Sequence, residues 1–290
     1  SRSFNTLDVY KNYLIKKSSN IEKISSEFEW YNHVPMKISM HTPKLVKGLE
    51  KYSNSASYGI ETVPSFSLSE LLVYGNQDKK FWNKIFAHLK ELLSIFYQEG
   101  NKCRCELISN EELSDVHSAL YLGKTLDRLT TYESMSGKDM SGYKVIVKQV
   151  DKFIPKVSKQ HLAFSHGDLC LSNILYNSHN DRLYIIDPKG MATLKSHRTI
   201  SDLRYDISKL FHSFVGGYDY IIANQFSVDN ESIQFAETAN ASMQDILLKF
   251  KHLIVPNGFS ISMNELISIN VMLFASMIPL HDESTFKQNA

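Results

Sequence analysis

The hydrophobic period of this chain changes near Pro64, and that change most limits what the chain can fold into. Before it, residues 7–17 are rich in β-branched and aromatic side chains around a turn-like Lys11-Asn12, which predicts a hairpin. Residues 45–63 alternate well enough to hold two more strands. Between these stretches Ile21, Ile24, Phe28 and Tyr31 recur at helical spacing, opened by the capping residues Ser18-Ser19-Asn20 and closed by Pro35. After Pro64 the helical period dominates. It predicts a long helix over 80–97 and further helices around 111–130 and 142–153. Two short strands, 162–165 and 183–186, interrupt it before helices return. The pattern is α+β: a small β-rich lobe over 1–64 and a larger, mostly helical lobe over 65–290, in a 290-residue chain long enough for two such units.

Bulk properties exclude several classes. With 32 Lys and Arg against 31 Asp and Glu the formal charge is +1, so the overall field gives no reason to expect a nucleic-acid or acidic-membrane partner. Polar residues interrupt the apolar runs well short of the ~20 residues that span a bilayer, so no membrane span is expected. Cys103 and Cys105 share one intervening residue, a spacing that suits neither a disulfide framework nor a zinc pair. Reduced thiols in a cytoplasmic protein are the expectation.

The segment richest in chemistry is Phe164-Ser165-His166-Gly167-Asp168-Leu169-Cys170-Leu171-Ser172-Asn173, followed after a strand and turn by Ile185-Ile186-Asp187-Pro188. It places two carboxylates and an amide near two strand ends. Phosphoryl transfer asks little covalent chemistry of a protein; it needs an acceptor hydroxyl beside a base and a divalent cation that neutralises phosphate oxygens. Asp168 has the type for the base, and Asn173 and Asp187 offer the hard oxygen ligands that Mg²⁺ prefers. Gly167 suits a loop with unusual dihedrals, and His166 is expected to brace that loop through hydrogen bonds instead of reacting.

His-Gly-Asp-Leu, three further residues and Asn, then Ile-Asp-Pro, resembles the catalytic and metal loops of the aminoglycoside phosphotransferase and choline kinase superfamily. That resemblance implies a protein-kinase-like two-lobe fold, with Asp168 as base and Asn173 and Asp187 as metal ligands. It departs at Pro188-Lys189-Gly190, where protein kinases have Phe-Gly. The family's phosphate-holding lysine falls on Lys17 or Lys16, with Lys17 slightly favoured, and the glutamate that orients it on Glu27. Tyr58-Gly59-Ile60-Glu61-Thr62-Val63 is similar to the family's hinge, which implies that Glu61 and Val63 hold the adenine edge. The phosphate-covering loop would fall on residues 1–8, which lack glycine, leaving Ser3, Asn5 and Thr6 as donors. The segment Ser201-Asp202-Leu203-Arg204-Tyr205-Asp206 resembles the helix opening after the metal loop, with Asp206 bracing the catalytic loop.

The resemblance therefore implies a nucleotide-binding lobe over 1–64 and a catalytic, acceptor-binding lobe over 65–290. The implied activity is ATP- and Mg²⁺-dependent phosphorylation of a hydroxyl on a sugar, amino alcohol or polyol. Lys124-Thr125, Arg128-Leu129 and Gly216-Gly217-Tyr218-Asp219 look most like kinase-like proteins encoded with bacterial surface-polysaccharide genes. The alternative is a nucleotide-binding pseudokinase that regulates or scaffolds. Protein kinase activity ranks lower, since no Ala-Pro-Glu segment follows Asp187. Lys124 and Arg128 read as residues of a helix face outside any substrate site. His161 and His212 read as satisfying local hydrogen bonds, and Phe211, Phe214, Tyr218 and Tyr220 as core that could also line an acceptor pocket.

Overall fold

The computed structural model describes residues 5–190, 193–195, 197–229 and 232–280. Ser3 of the expected phosphate-covering segment lies outside the described residues. The chain opens with β1 (Asn5–Val9), β2 (Tyr13–Ser18), α1 (Ile21–Asn32), α2 (Met36–Ser39), β3 (Leu45–Lys51) and β4 (Ala56–Glu61). The strands form one antiparallel sheet in the order β1-β2-β4-β3. The expected hairpin, helix and two strands are all present, and Asn20 caps α1 by accepting the Lys23 N–H at 2.9 Å. Asn5 and Thr6 belong to β1, paired with Ser18 and Lys17 of β2, so they form an edge strand. In β2, Lys16 and Ser18 face inward against α1, whereas Lys17 faces solvent with its ammonium 5.3 Å from the Tyr52 ring centre.

After Pro64 comes the larger lobe. β5 (Phe66–Ser67) leads into α3 (Leu68–Val73), then α4 (Lys79–Glu99), α5 (Asn101–Cys105), α6 (Asn110–Leu120), α7 (Leu122–Ser136) and α8 (Ser141–Asp151). α4 buries Ile85, Leu89, Leu92 and Phe96 on one stripe, each such burial being worth about 1.5–3 kcal/mol. The single helix expected around 111–130 is instead α6 and α7, broken at Tyr121 (φ −115°, ψ −114°). The break lets the buried Tyr121 hydroxyl donate to Asp202 at 2.9 Å. No proline marks this break; it depends on a partner 81 residues away.

Next come β6 (Leu162–Phe164), β7 (Ile174–Asn177), β8 (Arg182–Ile185) and β9 (Ile200–Asp202). The two expected strands do not pair with each other. β6 pairs with β9, and β8 pairs with β7, which also carries β5. The sequence reading finds β6 and β8 but not their partners β9 and β7, which lie in loops whose pairing only the fold reveals. The chain ends with α9 (Leu203–Phe214), α10 (Tyr218–Ile222), the hairpin of β10 (Ser227–Asp229) and β11 (Ser232–Gln234), α11 (Glu237–Ile254) and α12 (Met263–Met277). Every residue of α9 is buried, so this helix is the axis of the lobe. Contrary to the sequence expectation, Met263–Leu280, with mean hydropathy 1.4, is long and apolar enough to cross a membrane by length and composition. In the fold it is a core helix whose Leu266, Ile269, Met272 and Leu273 pack among α7, α8 and α9.

Candidate active site

A short turn between β6 and β7 carries His166, Gly167, Asp168 and Asn173, and Asp206 and Lys209 of α9 and Ile186 just after β8 shape it. Asp206, one turn into α9, accepts from the Ser165 hydroxyl at 3.0 Å and from the N–H groups of His166 and Gly167 at 2.8 and 2.9 Å. Gly167 needs this anchoring because its φ of +79° lies in the left-handed region. Burial pushes Asp206 up to about 6 in spite of its three donors. Asp206→Ala would leave those donors buried without an acceptor, at about 1–3 kcal/mol for each donor that water does not reach. The expected loss is about 3 kcal/mol or more in the unfolding free energy from denaturant titration, whereas a loss under about 1 kcal/mol would mean that Asp206 does not hold the turn.

His166 is fully buried and braces the turn, as the sequence reading expects. Its Nε2–H donates to the Ile186 carbonyl at 2.9 Å and its Nδ1 accepts the Asp168 N–H at 3.3 Å. Burial lowers it to about 4, so it is a neutral ring with a fixed tautomer. Its carbonyl accepts the Lys189 N–H at 2.8 Å, and the Asn173 carbonyl accepts the Ile186 N–H at 3.0 Å, so the two loops hold each other in register.

Asp187 follows β8 in a left-handed conformation, φ +57°, which an Asp tolerates better than a β-branched residue. Its Oδ1 accepts from Lys16 Nζ at 2.8 Å, and the same ammonium lies 2.7 Å from Glu27 Oε2. Lys16 and Glu27 are 3% and 1% exposed, and the Tyr58 hydroxyl donates to Glu27 at 3.0 Å. Burial disfavours the Lys16 charge, but Asp187 and Glu27 outweigh it and raise its proton affinity. This geometry corrects the preference for Lys17: the register that pairs Lys16 with Tyr58 turns Lys16 inward and Lys17 out.

Asn173 directs its amide N–H to the Asp168 carbonyl at 2.9 Å, which fixes the orientation of its side-chain oxygen. Asp168 itself is paired with Lys209 of α9, Oδ1 to Nζ 2.8 Å. Burial favours the neutral carboxyl, yet Lys209 and then Lys189 overcome it and hold Asp168 well below the usual carboxylate range. Asp168, Asn173, Asp187, Lys16 and Glu27 all line one cavity of about 490 Å³. The oxygen donors of Asn173 and Asp187 on its wall are of the hard type that suits Mg²⁺.

Glu61 and Val63 stand apart from this cavity, at the exit of β4 where the chain passes between lobes. The Glu61 N–H is used by the Lys44 carbonyl at 2.9 Å, and the Val63 carbonyl accepts the Ser65 hydroxyl at 3.1 Å. Lys124 and Arg128, read from sequence as helix-face residues, do line the cavity, together with Lys189, Tyr205, Lys209 and Tyr218. Lys209 was missed, although Asp206 and Lys209 stand at i and i+3 on one helix and so face the same loop. Phe211 and Phe214 are core, and His212 bonds Asn270 at 2.9 Å, both as expected.

No protein-family model and no curated protein sequence matches the chain. Among solved structures it is similar to an aminoglycoside-3'-phosphotransferase of type VIII, at 13% identity and a TM-score of 0.55 over 93% of each chain. It is also similar to a thermostable mutant of the aminoglycoside phosphotransferase APH(4)-Ia in ternary complex with AMP-PNP and hygromycin B. That match has 10% identity and a TM-score of 0.56, covering 100% of this chain and 87% of the other. Likeness at such identities establishes the fold: two lobes of the protein-kinase-like type, as the sequence motifs imply.

Proposed function

We propose that the chain is an ATP- and Mg²⁺-dependent phosphotransferase acting on a hydroxyl of a small molecule. The observation that carries this reading is the convergence of Asp168, Asn173, Asp187 and the Lys16–Glu27 pair on one cavity. The structural neighbour that binds AMP-PNP and hygromycin B supports a nucleotide donor and a hydroxylated acceptor.

In this reading Lys16, held by Glu27 and Tyr58, grips the nucleotide phosphates, and Asn173 and Asp187 hold the metal. Bound Mg²⁺ neutralises charge on the phosphate oxygens. Asp168 accepts a hydrogen bond from the acceptor hydroxyl and aims its oxygen at the γ-phosphorus. As the new P–O bond forms and the bond to the β-phosphate oxygen breaks, ADP departs and the hydroxyl proton passes to Asp168. A carboxylate kept ionised by Lys209 is a weak base, which suits a loose transition state in which the nucleophile loses its proton late. Sugars, amino alcohols and polyols fit as acceptor classes, and the resemblance around Lys124 and Gly216-Gly217 points to surface-polysaccharide biosynthesis as the setting.

Calorimetry of ATP with and without Mg²⁺, on the wild type and Asp187→Ala, tests the metal site. The expected result is Mg²⁺-dependent binding that the substitution weakens at least tenfold. Binding indifferent to metal would favour a nucleotide-binding domain without turnover; no binding would sink both readings.

A further inference from the structure

Metal-ligating side chains of a different kind gather outside the cavity. Cys103 Sγ, a carboxylate oxygen of Glu106 and a ring nitrogen of His197 all lie within 4.8 Å of one another. None of the three residues lines the cavity around Asp168. Cys103 belongs to α5, and Glu106 caps that helix, its N–H donating to the Cys103 carbonyl at 3.1 Å. His197 arrives from the chain between Asp187 and β9. Its N–H donates to the Leu194 carbonyl at 3.2 Å, its carbonyl accepts the Ile200 N–H at 2.9 Å, and the Leu194 N–H donates to the Ile200 carbonyl at 2.9 Å. The backbone of His197 is thus fixed on both sides, and its Nε2 meets Glu106 Oε2 at 2.7 Å.

The donor set selects the ion. One thiol, one imidazole and one carboxylate make a borderline-soft combination that suits Zn²⁺, whereas Mg²⁺ takes oxygen ligands. Tetrahedral Zn²⁺, with sulfur at about 2.3 Å and nitrogen and oxygen at about 2.0–2.2 Å, holds such atoms about 3.3–3.6 Å apart. Movements of roughly 1 Å, within the reach of side-chain rotation, bring the three donors to that spacing. Cys103 is 4% exposed and packs in the core, which gives the ion a floor closed to water. Glu106 and His197 are partly open to solvent, which leaves an entry path and room for water as the fourth ligand. Two nearby cations are engaged elsewhere. Arg104 directs its guanidinium to the Leu162 and Tyr97 carbonyls and to Asn101, and Lys159 donates to the backbone carbonyl of Glu106. Cys105, exposed, stands outside the group.

The geometry points to a Zn²⁺ site formed by Cys103, Glu106 and His197, separate from the Asn173 and Asp187 oxygens proposed for Mg²⁺. The ion ties α5, which packs on β6, to the chain that runs from Asp187 into β9, the strand paired with β6. β6 leads into the turn that carries Asp168, and β9 leads into α9, whose Asp206 anchors that turn. The site is therefore a staple across the two segments that position the turn. It stands on side-chain geometry and does not depend on the phosphotransferase reading.

The test titrates Zn²⁺, and separately Co²⁺, into the full chain, reduced and stripped with a chelator, with Mg²⁺ in excess. The expected result is one Zn²⁺ per chain, a thermal midpoint that rises with Zn²⁺, and a Co²⁺ adduct with a thiolate-to-metal charge-transfer absorption. Cys103→Ser and His197→Gln each weaken Zn²⁺ at least tenfold, and Cys103→Ser removes the absorption. Cys105→Ser and Asp187→Ala leave Zn²⁺ affinity within threefold. His197 lies near the surface, so His197→Gln reads the site even where Cys103→Ser fails to fold. Four results would overturn the inference: no Zn²⁺ bound; Zn²⁺ affinity unchanged in His197→Gln; the absorption lost in Cys105→Ser, which would place the ion on the other thiol; or Zn²⁺ affinity lost in Asp187→Ala, which would place it in the cavity.

Discussion

Asp168→Asn is expected to lower turnover about 10³-fold, within the 10²–10⁴ that positioned proton acceptors contribute, while Mg²⁺–ATP affinity stays within about threefold. The substitution keeps the side chain's shape and removes its charge, so the acceptor hydroxyl loses both its orienting hydrogen bond and the destination of its proton. Nucleotide affinity is spared because the residues proposed to hold the phosphates, Lys16 and Asp187, bond each other and Glu27 and do not bond Asp168. Measured by ADP release with a saturating acceptor, turnover within tenfold of the wild type would exclude Asp168 as the base. The ion pair with Lys209 adds a sign. A carboxyl whose folded pKa is depressed stabilises the fold above its unfolded pKa, near 4, and loses that contribution as pH falls through its lower folded value. The wild-type rate should therefore show no acid limb from Asp168 in the ordinary carboxylate range. Replacing Lys209 by Met should bring one in.

Lys16→Met is expected to be costly in a second way. It would leave Glu27, 1% exposed, with only the more distant and partly exposed Lys23 at 3.6 Å, and breaking one partner of a buried pair typically costs about 3–5 kcal/mol, an upper bound here because Lys23 remains. ATP affinity should fall with it, by about tenfold or more. Lys17→Met is the control. Lys17 faces solvent on the same strand, and such surface changes usually stay within about 0.5 kcal/mol. Denaturant midpoints of the two variants, together with their ATP affinities, decide the assignment; a larger loss at Lys17 would reverse it.

The contrast between these two lysines shows where sequence reading reaches its limit. The Asp168–Asn173 turn was legible because its residue types, spacing and glycine lie within one short loop, and chemistry dictates them locally. α1 and α4 were legible because a buried stripe repeats at helical period over three turns or more. Adjacent lysines on a strand differ only by facing, and facing is set by pairing with β4, about 40 residues away. β7 and β9 were not read although the equally short β6 and β8 were: with four residues or fewer, alternation is too brief to decide either way. Lys124, Arg128 and Lys209 meet only because α7, α9 and α12 pack together, and the one local hint of it is the i, i+3 spacing of Asp206 and Lys209 on α9. Tyr121 breaks a helix for the sake of Asp202, a partner equally remote in sequence.

Helix α1 carries one further consequence. Glu27 holds Lys16 from one side of it, and three residues on, Trp30 donates its indole N–H to the Ser165 carbonyl at 2.8 Å, with its ring edge-on to His166. Gly190 lies so close against the helix that an added Cβ would stand 2.4 Å from the Ser26 carbonyl oxygen. An outward swing of α1, the displacement by which protein kinases are switched, would thus break all three attachments together. In this protein α1 is tied at three separate points to the strand, turn and loop around the cavity, so it is held in place by packing and bonding and not by any one contact.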